Sequence, residues 1–490
     1  MASNKEMVVN SVNFEKQNGT NEINQKNRNK RLFTWKTVAL ICVINASLGL
    51  FGNGSFVGWT SYAMDGNLDE TFTPQQKWHI FSVIGLTAAL GPLIIHQIWH
   101  FVGSKRFILM ANFLMVVAWI LVMVFRENYL IFLVGRGIGG LAVGTLHFLI
   151  PLYIFDIVPV HQQPLCHSIM QLQFVLGILS QYILSLFKSF LIIDLLPAIT
   201  SALLFITFFF MPESPRYLSI RGDAERANEI LVKFKTDDRA VQNDLQLWTS
   251  AHHKVGYLSA FKEEFNIAYA IPVFGLYIFE QLIGAVPILF YLQNIFKLAA
   301  CESVLSRVEC EFTPEVSTIL CVTVFVVSIL VPHFFDDRSI NIKVSLMWST
   351  NVMAAILGVL GLYCHLHGSF APNNFEDIRY IPLICLSLFY FLYATGPQRL
   401  SHEYAEKVIP KKCYFTMRCM LATTSWFLIY VITRMLPQLI GHIGVGWLFW
   451  FMAAMCVLMS VFVKLFVADL TKVPEESRLV DNSSESNSEA

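Results

Sequence analysis

Apolar and polar positions fall along this chain in long blocks rather than short periods. Runs of about 20 mainly apolar residues recur, long enough for a helix to cross a hydrocarbon core of about 30 Å. They predict twelve helical spans near residues 37–60, 78–101, 107–125, 130–154, 166–187, 190–210, 268–296, 315–334, 343–364, 378–398, 415–436 and 445–467. One long polar insert divides the spans six and six. The expected organisation is a tail over 1–35, a six-helix half over 36–211, a loop with short helices over 212–266, a second half over 267–468 and a tail over 469–490. Within the insert, the stretch from Arg221 to Leu231 has helix formers with apolar residues at helical spacing, which predicts a brace under the bundle rather than a separate domain. The first tail has no early apolar core, so it does not read as a cleaved signal peptide. The last is rich in Ser, Glu and Asn, a composition that favours disorder.

Composition agrees with membrane spans. Hydrophobic residues make up 55% of the chain and charged residues 14%, against about 25% charged in ordinary soluble domains. The formal net charge is zero, which gives no reason to expect a nucleic acid or an acidic partner. Lys and Arg set the orientation. Lys26, Arg28, Lys30, Arg31 and Lys36 precede the first span, Lys105 and Arg106 follow the second, and Lys407, Lys411 and Lys412 precede the eleventh. Loops on the other side carry only scattered cases such as Lys77, Arg126 and Arg307. Both termini are therefore expected on the cytoplasmic side of the plasma membrane, where Asn18 and Asn482 would stay unglycosylated. Cys301 and Cys310 share the external loop after the seventh span; a disulfide and two free thiols both remain open. The other cysteines lack metal-ligand spacing and read as packing residues. No Walker A loop, G-x-S-x-G elbow or H-E-x-x-H pair is present, so neither an enzyme nor a cofactor is expected.

The densest pattern runs from Gly135 to Tyr182. Gly135, Gly139 and Gly140 share a helix face, where small residues let helices approach closely in lipid. The letters GR-x-x-G-G, P-x-Y-x-x-D-x-x-P and Q-L-x-x-x-x-G-x-L-x-x-Y follow one another, and Met211-Pro-Glu-Ser-Pro-Arg-Tyr-Leu218 comes after. In order and spacing they resemble the sugar-porter branch of the major facilitator superfamily, and within it the insect facilitated trehalose transporter-like proteins. The resemblance spans about residues 36–475. It implies an all-α membrane protein of twelve helices in two six-helix halves.

The resemblance also implies a cytoplasmic gate of paired charges. Here Arg136, Asp156, Glu213, Arg216, Asp337 and Arg338 are what remains of it. The family's D-x-x-G-R-K after the second span has become His100-Phe-Val-Gly103-Ser104-Lys105, and the Gly-Arg-Arg expected after Asp337-Arg338 is missing. The family has Glu at the position of Asp156 and Arg-Gly after it, where Gln163 and Pro164 stand here, so one more cationic partner is missing. These losses should weaken the lock.

Gln171 lies where the family places a sugar-binding Gln, and a Gln suits hydroxyls because it both donates and accepts. In the seventh span Gln281 is kept, the preceding Gln is Glu280, and the family's Asn is Val286. A further Asn is replaced by Phe325, and the Trp after Gly396-Pro397 is absent. The eleventh-span Asn-Trp pair reads Ser425-Trp426. The expected solute site is therefore Gln171, Gln281, Glu280, Ser425 and Trp426.

Glu280 has three open readings: a proton-coupling group, a recognition group for a cationic or amine-bearing solute, and a protonated or paired structural residue. His96 and His147 read as hydrogen-bonded packing residues, since neither has a second His at helical spacing, and no metal site is expected. The function expected is secondary transport of a sugar or polyol by alternating access within a single chain in the bilayer. The first span lacks a carboxylate, which favours facilitated diffusion over proton symport. A transport-deficient solute sensor and a carrier of a non-sugar solute are the alternatives.

Overall fold

Capping chemistry starts several helices where the apolar pattern starts them. At Thr73, the Gln76 N–H donates to Thr73 Oγ1 (3.4 Å) while the Thr73 N–H donates to Gln76 Oε1 (2.9 Å), and Pro74 occupies the first helical position. Asn128 Oδ1 accepts from the N–H groups of Leu130 and Ile131. Thr313 accepts from the Val316 N–H just ahead of Pro314. Each cap satisfies amide groups that the helix itself leaves orphaned.

The computed structural model describes residues 40–61, 63, 72–159, 162–187, 189–235, 238–250, 267–300, 313–334, 341–367, 380–410 and 413–469. Among these, eleven helices are long and apolar enough to cross a bilayer. In order they are Leu40–Ser61, Pro74–Val102, Ser104–Val124, Tyr129–Ile157, Gln163–Ser185, Leu191–Phe208, Tyr269–Lys297, Ile342–Leu366, Ile381–Val408, Tyr414–Ile443 and Val445–Phe466. A further apolar helix, Pro314–Leu330, is 17 residues long and takes the eighth place. The expectations for the two tails, Cys301, Cys310, Asp337 and Arg338 lie outside the described residues.

Two spans depart from the pattern. The seventh is broken: Ile267–Leu282 and Ala285–Ala300 meet at Gly284, whose φ of +84° only glycine adopts without strain. The tenth runs ten residues past its expected end at 398. It passes from Ile381–Tyr393 through a π-helical turn, Ala394–Gln398, into Arg399–Val408. The apolar pattern stops at Gln398 because the continuation is charged. Those charges stay in the helix because they are paired, Glu403 with Lys407 (2.7 Å) and Glu406 with Arg418 (3.2 Å).

The first six spans pack together, as do the last six, and the two groups meet along two seams: second span on eleventh, and fifth on eighth. Glycines set the closest approaches. A Cβ on Gly144 would overlap the Ala88 carbonyl of the second span. Gly54 and Gly177 do the same for each other's helices, against the carbonyls of Phe174 and Phe51. Gly85 also lets the Tyr430 backbone come close across the second-to-eleventh seam, within 2.7 Å of an added Cβ. Of the face expected from sequence, Gly140 abuts the second span while Gly139 receives the Phe56 ring.

The insert caps one end of the bundle, called here the insert end. Its helices are Pro215–Ile220, Ala224–Phe234 and Asp238–Ser250. Leu231, Val241 and Trp248 form a small core of their own, and Lys235 pairs with Asp244 at 2.7 Å. The first and second of these helices touch the fourth span, as a brace would.

Replacing Gly144 by Leu should drive the second and fourth spans apart. Overpacking of this kind costs about 1–3 kcal/mol or more, so the thermal midpoint of the detergent-purified protein should fall. Gly441→Leu, where nothing lies within 4 Å of an added Cβ, should leave it near the parent value. Equal midpoints for the two variants would contradict the close approach.

Candidate solute cavity and charge clusters

A cavity of about 130 Å³ lies between the two groups of helices, well above the ~10–15 Å³ a single water needs. The fourth and fifth spans line one side with His147, Phe148, His167, Gln171 and Phe174. The seventh, tenth and eleventh line the other with Tyr277, Glu280, Gln281, Tyr393, Gln398, His402, Arg418, Ser425 and Trp426. All five residues expected from sequence (Gln171, Glu280, Gln281, Ser425 and Trp426) are therefore brought together.

Their polar atoms are unevenly satisfied. Gln398 Nε2 donates to Gln171 Oε1 across the cavity at 2.9 Å. The Tyr393 hydroxyl donates to Glu280 Oε1 at 3.0 Å. Glu280 Oε2, Gln281 Oε1, Ser425 Oγ and His147 Nδ1 are buried and have no partner among the described residues. Glu280 and Gln281 are only 4% and 5% exposed. Unmatched buried groups of this kind cost about 1–3 kcal/mol each, so the cavity is built to be complemented. Apolar and aromatic walls complete it. Trp426 meets the His147 ring edge-on at 5.5 Å, and Phe325, standing where the family has an Asn, stacks behind Tyr390 and Tyr393.

Sequence reasoning missed the insert-side floor of this cavity. His402 hydrogen-bonds the Tyr277 hydroxyl (2.5 Å) and faces the His167 ring (5.2 Å between centroids). Arg418 donates to the hydroxyls of Tyr277 (2.6 Å) and Tyr414 (3.2 Å) and to Glu406 (3.2 Å). With His147, these histidines come from the fourth, fifth and tenth spans, so no spacing within one helix could reveal them. The available signal was weaker: several titratable side chains at similar depth in different apolar runs.

The expected charge gate divides in two. At the insert end Arg216 pairs with Asp156 (2.8 Å), and Ser214 Oγ donates to the same carboxylate (2.8 Å). Glu213 accepts from the N–H groups of Lys105 (2.9 Å) and Ser214 (3.0 Å). Burial raises the Glu213 carboxyl above its ordinary range, against those two amide bonds. Ser104, which replaces the family's Arg, accepts from the Trp99 indole at 2.8 Å, so a neutral bond fills that place.

Arg136 does not join this cluster. It lies on the same helix as Asp156 but twenty residues earlier, about 30 Å away at 1.5 Å per residue. It is fully buried near the far end, under the rings of Phe56 (4.1 Å) and Trp59 (4.5 Å), and donates to Thr60 Oγ1 (2.7 Å) and the Phe56 carbonyl (3.2 Å). Close by, the buried Asp194 accepts from Trp59 Nε1 (2.7 Å) and pairs with Arg126 (2.6 Å). A cation in lipid needs such partners, and stacking on desolvated rings is worth up to about 2 kcal/mol.

The helices contact across the two groups on both sides of the cavity. On the far side the Tyr182 hydroxyl donates to the Leu289 carbonyl (2.6 Å), and the Gln293 N–H donates to Ser61 Oγ (3.3 Å). On the insert side stand the Gln171–Gln398 bond and a contact of His96 Nε2 with Thr416 Oγ1 (3.1 Å). No group of three or more His, Cys, Asp or Glu that could hold a metal occurs among the described residues.

Comparison with known proteins agrees with this architecture. The family model described as "Sugar (and other) transporter" matches residues 29–476. "Facilitated trehalose transporter Tret1" of Apis mellifera ligustica is 24% identical, over 90% of this chain and 87% of that protein. "Sugar transporter ERD6-like 6" of Arabidopsis thaliana is 22% identical, over 88% and 87%. Among solved structures, the proton:xylose symporter XylE bound to 6-bromo-6-deoxy-D-glucose superimposes with a TM-score of 0.70 at 19% identity, covering 87% of this chain and 96% of its own. The inward-open xylose transporter XylE from E. coli gives 0.68 at 17% identity, over 90% and 99%. Identities this low in the structures speak to fold, whereas the family match spans most of the sequence. The chain is a multi-pass membrane protein with the major facilitator fold, and it belongs to the Sugar (and other) transporter family.

Proposed function

We propose that this protein moves a sugar or similar small polyhydroxy solute across the plasma membrane by facilitated, alternating-access transport. The observation that carries this reading is the set of four unpartnered polar atoms, on Glu280, Gln281, Ser425 and His147, lining a cavity between two helical groups. A solute rich in hydroxyls matches such groups, because each hydroxyl both donates and accepts. The relatives named for sugar and trehalose transport support the substrate class.

The cycle follows from the contacts on either side of the cavity. Opening toward the far side breaks the Tyr182–Leu289 and Ser61–Gln293 bonds. Opening toward the insert side breaks Gln171–Gln398 and His96–Thr416. In this reading the insert end is cytoplasmic, as the Lys and Arg bias suggests, and both termini lie on that side. Asp156, Glu213 and Arg216 brace the insert against the fourth span there, with Asp337 and Arg338 as the second-half members of the gate. Arg136 acts at the other end, holding the first span to the fourth. One chain supplies both halves and the whole cavity, so the functional unit is the monomer. Gln171, Gln281, Glu280, Ser425 and Trp426 contact the solute.

The reading predicts saturable uptake of labelled glucose or trehalose in cells that display the protein at their surface. An imposed proton gradient should leave that uptake unchanged. Gln281→Leu should lower uptake at limiting solute about 5- to 150-fold, the equivalent of a solute hydroxyl left buried without its partner at about 1–3 kcal/mol. Surface expression with no uptake of either sugar would overturn the proposal.

The brace makes a separate prediction. Asp156→Ala leaves Arg216 without its counter-charge, and breaking a buried pair costs about 3–5 kcal/mol. The thermal midpoint should drop clearly, and Asp156→Ala with Arg216→Ala together should recover part of the loss. Additive losses would show that the two side chains do not interact.

A further inference from the structure

The cavity's polar demand is lopsided. Of its four unpartnered atoms, Glu280 Oε2 is an acceptor whenever the carboxyl is ionised and Gln281 Oε1 is assigned as one, while Ser425 Oγ and His147 Nδ1 can play either part. The groups facing Glu280 do not neutralise it. Tyr393, from the tenth span, donates a neutral hydroxyl to Oε1 at 3.0 Å. The eleventh span offers Ser425 and Trp426, and the fourth offers His147. The one guanidinium lining the cavity, Arg418, directs its N–H groups to Tyr277, Tyr414 and Glu406. Among the described residues no cation pairs with Glu280.

A 4%-exposed carboxylate at membrane depth without a counter-charge is costly. A neutral sugar can donate hydroxyls to it but leaves its charge uncompensated. An ammonium group satisfies both needs at once. It has three donors and no acceptor, which fits an acceptor-rich corner, and its N⁺–H···O⁻ bond is roughly twice as strong as a neutral one. The neutral donors that remain, Ser425 and His147, are left for hydroxyls on the rest of the solute.

We propose that the solute preferred by this cavity is a polyhydroxylated amine, such as an amino sugar, whose ammonium group docks on Glu280 while its hydroxyls meet Gln281, Ser425 and His147. The proposal rests on the reading that this cavity carries a polyhydroxy solute, and it sharpens the substrate class. Glu280 is then the residue that sets selectivity between charged and neutral sugars.

The test uses the full-length protein in proteoliposomes, with labelled glucosamine and glucose as probes at neutral pH, in sodium and in sodium-free buffer. The expected result is glucosamine uptake at least about tenfold more efficient than glucose uptake, a difference of about 1.4 kcal/mol. Glu280→Gln should collapse that ratio toward one, and Glu280→Asp, which keeps the charge, should retain a preference for the amine. The ratio in the unmodified protein is informative even if a variant fails to fold. Equal handling of the two sugars would overturn the proposal and leave the sugar-carrier reading standing. Glucose accumulation driven by a proton or sodium gradient would also overturn it, because the inorganic cation would then occupy Glu280. Uptake of neither glucosamine nor glucose by folded, reconstituted protein would overturn this proposal, and the sugar-carrier reading with it if labelled trehalose also fails to enter.

Discussion

The interior of a bilayer offers a polar side chain no water to turn to, and the arrangement of this molecule follows from that single shortage. Large apolar residues such as Leu130, Trp348 and Phe210 face outward, more than half exposed. Polar groups collect where helix meets helix. Arg136 resolves its position with two rings, a hydroxyl and a carbonyl. Asp194 does so with an indole and Arg126. Arg418 does so with two phenols and Glu406. Each solution partners much of a group that lipid would strand. Buried atoms without a partner also occur elsewhere, on Gln181 and Arg136 for instance, but in the cavity four of them line one space large enough for a solute.

The same economy of partners bears on motion. The polar contacts across the two helical groups are few on each side of the cavity, and each net bond is worth only about 0.5–1.5 kcal/mol. Neither side is therefore locked by much more than the other. The second-to-eleventh seam is close where Gly85 admits the Tyr430 backbone, near the midpoint of both helices. Two groups that share a close central seam and carry similar, weak latches at each end are suited to rocking about that seam.

Much of this was legible in the sequence. Long apolar runs and the spacing of the glycines fix the spans, because in lipid a helix must satisfy its own backbone. The five expected cavity residues also came together, since each could be placed on a motif. What stayed hidden depends on assembly between helices. Arg136 and Asp156 read as neighbours because they share a motif-rich stretch, yet a straight helix sets them at opposite ends. His147, His167 and His402 converge from three spans, a relation absent from any one of them. The tenth span ran past its apolar pattern because Arg418, in the next span, shelters Glu406.

The π-helical turn at Ala394–Gln398 has a consequence of its own. Such a turn holds one residue more than the α-helix it interrupts, and each residue turns a helix by about 100°. Everything after it, including His402 and Glu406, is aimed by that extra residue. Removing one residue there would swing the rest of the span by more than a quarter turn, carrying His402 away from Tyr277 and Glu406 away from Arg418. The lining of the cavity can thus be rewritten by a change in length as readily as by a change in letters. In a lineage that keeps its backbone plan, insertions and deletions at this one turn would be a short route to a different cargo.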